Sequence, residues 1–144
     1  MGMVYADIEL VNGEDIAMSR RHIIGQEEIR SMRVNMMVDT GSEYMCINEM
    51  IQEQLGLPTV ERRSFQLANG KVEEYAVAGP VEIRFANRRF YTEAIVLPGD
   101  TQMLLGAIAM EGMDVVVNPS RRELTVHPDH PYVAQMNLRG IRKR

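Results

Sequence analysis

A single cysteine, Cys46, occurs among the 144 residues, so no internal disulfide can form, as a reducing cytoplasm would allow. Aromatic residues are sparse at 6% and the formal net charge is −4. That combination argues against a nucleic-acid-binding β-barrel, which needs cationic grooves and stacking rings. No apolar run approaches the length that spans a membrane. The opening MGMVYADIEL has Asp7 and Glu9 where a signal peptide needs its apolar core, so export by that route is not expected. Met1-Gly2 suggests a myristoylation start, but Ala6 stands where serine or threonine is wanted. The expectation is a cytoplasmic protein with neither membrane nor nucleic acid as partner.

With 45% hydrophobic residues the chain can bury one core but not two, so residues 1–144 are expected to form a single domain. Most of that core is patterned as strands. Ala6, Ile8 and Leu10 alternate with Asp7 and Glu9 over Val4–Val11, and Asn12-Gly13 then reads as a tight turn. Residues 14–32 are charged and mixed, and read as a short strand, a turn and a decorated excursion. Asn48 is placed to cap a short helix over Glu49–Leu55, which Gly56 ends and Pro58 keeps from resuming. Arg63–Leu67 and Lys71–Val77 flank Ala68-Asn69-Gly70, a strong hairpin signal. Strand patterns follow at Val81–Phe85, Phe90–Val96, Val115–Val117 and Glu123–Val126, with Pro98-Gly99-Asp100 as a loop. The fold class is all-β with one or two short helices. Residues 128–144 form a C-terminal extension, its basic end Arg139–Arg144 a solvated tail.

The most informative stretch is Val34 to Ser42, an apolar strand running into Asp39-Thr40-Gly41-Ser42. A second apolar-apolar-Gly element, Leu104-Leu105-Gly106, follows some sixty residues later. In both order and spacing the chain resembles the retropepsin-like aspartic peptidases: N-terminal strand, strand–Asp-Thr-Gly–strand, hairpin, apolar-apolar-Gly, short helix over Ala107–Met113, closing strand. The resemblance runs from about residue 4 to 127. Leu67-Ala68-Asn69-Gly70 and Leu97-Pro98-Gly99-Asp100 make bacterial single-domain members the nearest in character.

The resemblance implies a closed β-barrel and a homodimeric endopeptidase acting on peptide or protein substrates without metal or cofactor. Peptide hydrolysis by this route needs two carboxylates sharing a proton, one as base on a water and the other polarising the scissile carbonyl. Only one Asp-Thr-Gly is present, since Asp100-Thr101 continues to Gln102, so a single chain supplies half a site. Asp39 is therefore the expected catalytic residue, meeting its symmetry mate on a two-fold axis. Thr40 is implied to lock the two loops together, and Gly41 to offer its N–H toward the carboxylates. The Ser42 hydroxyl is expected to donate to Asp39. Leu104, Leu105 and Gly106 pack beneath the loop, while Leu67, Ala68, Asn69 and Gly70 form a flap and Glu43 borders the substrate. Two departures stand out: Glu43 and Tyr44 replace the paired acids usual after the motif in retroviral members, and Ala107 replaces the arginine that braces their dimer edge. A non-catalytic dimeric binding module on the same barrel is the alternative reading.

Other chemistry-bearing residues have plainer roles. Cys46, inside an apolar strand, is expected as a core residue with no histidine set to activate it. His127-Pro128-Asp129-His130 lacks cysteine partners and reads as a solvated loop, not a zinc site. The 12 methionines are core filler, with Met110 and Met113 candidates for lining an interface.

Overall fold

The computed structural model describes residues 2–138. Residues 139–144, expected as a solvated basic tail, lie outside them. Strand β1 (Val4–Asn12) lies antiparallel to β2 (Ser31–Val38), in register from Val4 opposite Val38 to Val11 opposite Ser31. The end of β2 pairs in parallel with the two-residue β7 (Leu104–Leu105). That strand pairs with β3 (Cys46–Asn48), which runs parallel to β6 (Arg88–Leu97).

The long β5 (Val72–Phe85) pairs with β6 along its length. Its first half also pairs with β4 (Thr59–Gln66) and its second half with β1. The path of strand pairing thus returns to β1, and β4 stands outside it as an edge. Ile8, Leu10, Met36, Ile47, Ile83 and Leu105 are almost wholly buried and form the centre of the core. A separate hairpin, β8 (Val115–Asn118) with β9 (Glu123–Val126), packs against β1.

Among the described residues three α-helices decorate the sheet. Helix α2 (Glu49–Leu55) starts where the Asn48 side chain accepts the Ile51 N–H (2.9 Å) and stops at Gly56. Helix α3 (Ala107–Met113) follows β7 directly and ends at Asp114. Helix α1 (Gly13–Arg20) replaces the expected turn and short strand. The correction has a local cause. Asn12 does not turn a hairpin; its Oδ1 accepts the Asp15 N–H (3.0 Å) and caps a helix whose first turn carries Glu14 and Asp15. A single 3₁₀ turn at Gln26–Glu28 then leads into β2. Two further boundaries differ: β4 begins at Thr59 rather than Arg63, and the two strands read around Val77 and Val81 are one. The register shift between Ala78 and Val81 keeps β5 continuous while it changes neighbours from β4 to β1.

Polar contacts hold the insertion to the sheet. Asn12 is fully buried, and its Nδ2 donates to Leu55 O (2.8 Å), tying the start of α1 to the end of α2. Asp15 receives Arg30 through Nε (2.8 Å), Nη2 (3.0 Å) and the backbone N–H (3.0 Å). The Arg30 side-chain hydrogen bonds are the chief reason the Asp15 carboxyl sits below the usual carboxylate range.

Replacing Asn12 with Ala removes the cap and leaves buried groups unpaired, so unfolding free energy should fall by roughly 1–3 kcal/mol, read as a lower urea midpoint at unchanged m. Asp15→Asn tests the pair by linkage. A depressed folded pKa gives stability that is full above the ordinary value of 3.8 and lost as pH falls through the folded value. The stability gap between the native chain and Asp15→Asn should therefore be constant at neutral pH and narrow below about pH 4.

Candidate active site

Val34 and Met36 anchor β2 in the core, and the chain leaves the sheet at Asp39. The Asp39 N–H donates to Leu105 O (3.0 Å), extending the β2–β7 ladder to the residue that carries the carboxylate. The Ser42 N–H donates back to Asp39 O (3.2 Å) and closes the turn. Within it the Gly41 N–H donates to Asp39 Oδ1 (2.9 Å), a charge-assisted bond that fixes the carboxylate's orientation. Thr40 and Gly41 are exposed at the tip and Asp39 is half-buried. Ser42 departs from expectation: its hydroxyl donates to Tyr44 O (3.1 Å), not to Asp39. The turn points Oγ along the outgoing chain, toward the Tyr44 carbonyl two residues on, which the Cys46 thiol also meets.

Beneath the loop, Gly106 makes an approach that no other residue could. A Cβ there would stand 2.7 Å from the carbonyl oxygens of Ser42 and Tyr44 and 2.8 Å from that of Glu43. The closeness has a purpose in hydrogen bonding. The first N–H groups of α3, which have no partner inside the helix, donate to the loop: Ala107 N–H to Ser42 O (2.7 Å) and Ile108 N–H to Glu43 O (3.2 Å). Leu105, wholly buried, seats this element in the core, and Leu104 pairs with both Met37 and Cys46.

The β4–β5 hairpin turns through Leu67, Ala68, Asn69 and Gly70, with Leu67 N–H bonded to Lys71 O (2.7 Å) and Gly70 N–H to Leu67 O (2.9 Å). Gly70 has φ +84°, a left-handed conformation that suits glycine, and nothing approaches it within 4 Å. Phe65 on β4 touches Tyr44, just after the Asp39 loop, in an edge-on pair with centroids 6.2 Å apart. Phe65 also meets Tyr75 on β5 at 6.1 Å. This aromatic bridge brings the hairpin over the loop segment. A hollow of about 170 Å³ lies between them, floored by Val77 and Ala94. It has room for roughly five or six waters, the size of a side chain and not of a whole ligand. Glu43 is exposed beside the loop.

Two further hollows flank Thr40. One of about 270 Å³ is lined by Met3, Val38, Asp39 and Val117; the other, of about 460 Å³, by Ala107, Met110 and Val115–Val117. Of the two methionines proposed for an interface, Met110 borders this face. Met113 is wholly buried in the core.

Cys46 is buried and its thiol is pushed up to about 11, first by burial and then by the Asp39 charge, so it is held as an inert thiol. His127 and His130 are half-buried, not solvated, because Asp114 gathers them. His130 Nδ1 lies 2.7 Å from Asp114 Oδ2, which also accepts the Gln135 N–H (2.9 Å). That backbone bond, with His130 second, holds the Asp114 carboxyl below its usual range. Arg88, 3% exposed, donates to His130 O, and its Nη2 lies 3.8 Å from Asp114. Nothing in the sequence links Asp114 to residues 127–135; only the β8–β9 hairpin brings them together. Asp114, His127 and His130 offer three ligand atoms within 4.8 Å of one another. The two rings, however, are stacked 4.6 Å apart at 22°, and imidazole lone pairs lie in the ring planes, so they do not aim at a common ion. The nearby Arg88 guanidinium opposes a cation as well.

The model of the aspartyl protease family matches residues 26–109, which include both the Asp39 loop and Leu104-Leu105-Gly106. The chain belongs to the aspartyl protease family. The retroviral protease-like domain of Ddi1 from Leishmania major has the same fold, with a TM-score of 0.55 at 13% identity over 89% of this chain and 90% of that one. The architecture is therefore retropepsin-like and mainly β with few helices. No curated protein sequence matches the chain. Among the described residues no helix is long and apolar enough to cross a membrane.

Gly106→Ala tests the clamp under the loop. The added carbon meets three backbone oxygens, which cannot swing aside as a side chain can, so α3 or the loop must move. Stability should fall by roughly 1–3 kcal/mol, with amide exchange at Ala107 and Ile108 accelerated first.

Proposed function

We propose that the chain is an aspartic endopeptidase that works as a homodimer, with Asp39 from each of two copies forming one site. The observation that carries this reading is the Asp39 loop itself: a carboxylate oriented by the Gly41 N–H, backed by helix α3, and occurring once per chain. One carboxylate cannot serve as both base and acid toward the same peptide bond. A second copy placed across the exposed tip of the loop supplies the other.

The surface around the tip supports that partner. Thr40 is exposed between two hollows lined mainly by Met3, Val38, Met110 and Val115–Val117, an apolar face beside a polar turn. Ala107 leaves this edge without an arginine brace, so the dimer rests on apolar contact and loop-to-loop hydrogen bonding. We read the returning strand path as a closed barrel and the whole chain as one domain. A lone buried thiol fits a cytoplasmic setting.

In the paired site the two carboxylates, about 3 Å apart, share one proton because both cannot ionise at that distance. The charged one takes a proton from water as the oxygen attacks the scissile carbonyl carbon. The protonated one donates to the carbonyl oxygen. Collapse of the tetrahedral species breaks the C–N bond: the nitrogen leaves with the proton the first carboxylate took from water, and a hydroxyl of the gem-diol gives its proton back to the second carboxylate as the carbonyl re-forms. The extended substrate lies between the loop and the β4–β5 hairpin, whose tip at residues 67–70 closes over it.

Asp39→Asn removes the ionisable group from both halves at once while keeping its shape. Peptide-library cleavage should disappear, while the dimer seen by sedimentation persists, since two like charges no longer face each other. The native chain should show a bell-shaped pH dependence, because one shared proton is required. Equal cleavage by the variant would trace the activity to another source. A folded, dimeric native chain that binds peptides without cutting them would favour the binding-module reading.

A further inference from the structure

Helix α1 and the turn after it build, with β5 and β6, two adjoining hollows of about 510 Å³ each that meet at Arg20. Their level in the sheet is that of Glu9 opposite Arg84, five residues along β1 from the Val4–Val38 pair. At the rise of a β-strand this is about 17 Å from the Asp39 end, so the hollows are separate from the catalytic loop.

Their charge arrangement is unusual. Arg84 and Arg89 face each other directly across the β5–β6 ladder, where like charges are destabilising. They are held there by Glu82, which is 4% exposed: it accepts Arg84 Nε at 2.6 Å and lies 3.5 Å from Arg89 Nη1. A buried carboxylate needs one guanidinium, and this one has two. Arg20 adds a third at the shared rim, with no carboxylate partner among the described residues. Glu9, 3.6 Å from Arg84, is itself opposite Arg33. Against the carboxylates of Glu82 and Glu9, the guanidiniums of Arg84, Arg89 and Arg20 leave one positive charge in excess among these groups, in a chain whose net charge is −4. Tyr91 is the apolar wall of one hollow, beside Glu82 and Arg89, and Ile16 and Ile29 wall the other beside Ser19, His22 and Gln26.

We propose that this double hollow is a docking site for an acidic linear peptide. Carboxylates engage the planar forks of Arg20, Arg84 and Arg89, and neighbouring apolar side chains lie on Tyr91, Ile16 and Ile29. Forked guanidiniums pre-set by a buried carboxylate match carboxylates two bonds at a time. A nucleic acid is disfavoured, because the overall negative charge repels an extended polyanion and the patch is short and walled by apolar groups. The proposal stands apart from hydrolysis at Asp39 and goes beyond it.

The test is fluorescence anisotropy of the full chain with a fluorescein-labelled peptide, Glu-Glu-Phe-Glu-Leu-Glu-Glu. Controls are the same peptide with glutamine for glutamate and a labelled oligothymidylate. The acidic peptide should bind, the glutamine version should bind at least about tenfold more weakly, and binding should weaken as salt rises from about 50 to about 300 mM. Arg20→Glu, and Arg20→Glu with Arg89→Gln, should each weaken binding by about tenfold or more with circular dichroism unchanged, since Arg20 is exposed and Arg84 still meets Glu82. No binding at millimolar chain, or equal binding by Arg20→Glu and the double variant, overturns the proposal. Oligothymidylate binding as tightly as the peptide, and lost in the same variants, also overturns it in favour of a general polyanion surface.

Discussion

The arrangement around Asp39 depends on one close approach, that of Gly106 to the carbonyls of Ser42, Glu43 and Tyr44. A helix beginning there brings N–H groups that need acceptors, and a loop turning there brings carbonyls that need donors. Each satisfies the other only if no side chain stands between them. The two-residue strand β7 then links this clamp to the sheet, because the same chain that seats Leu105 in the core also receives the Asp39 N–H. Asp39 is thus held by three backbone bonds, of which the one from the Gly41 N–H meets the carboxylate itself.

The rest of the molecule shows the same economy, with buried polar residues used as joints. Asn12 caps α1 and also bonds the end of α2, so two elements 43 positions apart are set by one side chain. Asp15 fixes the return of the chain into β2 by holding Arg30 through both side chain and backbone. Asp114 collects His130, the Gln135 N–H and the neighbourhood of Arg88. None of these joints stabilises by charge alone. Asn12 and Asp15 each satisfy backbone groups that burial would otherwise leave unpaired, and that is the larger energy.

What could be read in the sequence follows from how local the cause is. Helix α2 was legible because Asn48, Glu49 and Gly56 carry its start and stop within a few residues. Helix α3 and the Asp39 loop were legible through an order of motifs, in which the spacing from Asp39 to Gly106 says more than either motif alone. Helix α1 was not, since Asn12-Gly13 is at once a hairpin signal and a helix start, and Gly13–Arg20 lacks an apolar stripe to separate the two. The length of β5 was hidden because the patterns at Lys71–Val77 and Val81–Phe85 stand apart in the sequence, whereas the intervening Gly79-Pro80 is tolerated within one strand at a shift of register. The Ser42 hydroxyl, the gathering of the histidines by Asp114 and the Arg84–Arg89 pair across Glu82 depend on tertiary placement. No window of sequence contains them.

A half-site on each chain places a symmetry constraint on whatever the protein recognises. In the dimeric reading every feature of the loop and hairpin occurs twice about the axis, so the cleft presents two equivalent halves to a peptide that has direction. Such a cleft can favour chemistry at the cut but cannot by itself distinguish one end of a substrate from the other. A feature remote from the axis is duplicated too, but it adds a second point of attachment. Each copy carries its own arginine-lined hollow about 17 Å along the sheet from Asp39, and a substrate tethered in one hollow enters the shared cleft from a single side. Tethering also makes the second contact intramolecular, which raises occupancy without any new contact at the scissile bond. The helix inserted between β1 and β2 is the element that forms this hollow. In the proposed dimer it adds a second point of attachment beside an unaltered catalytic loop.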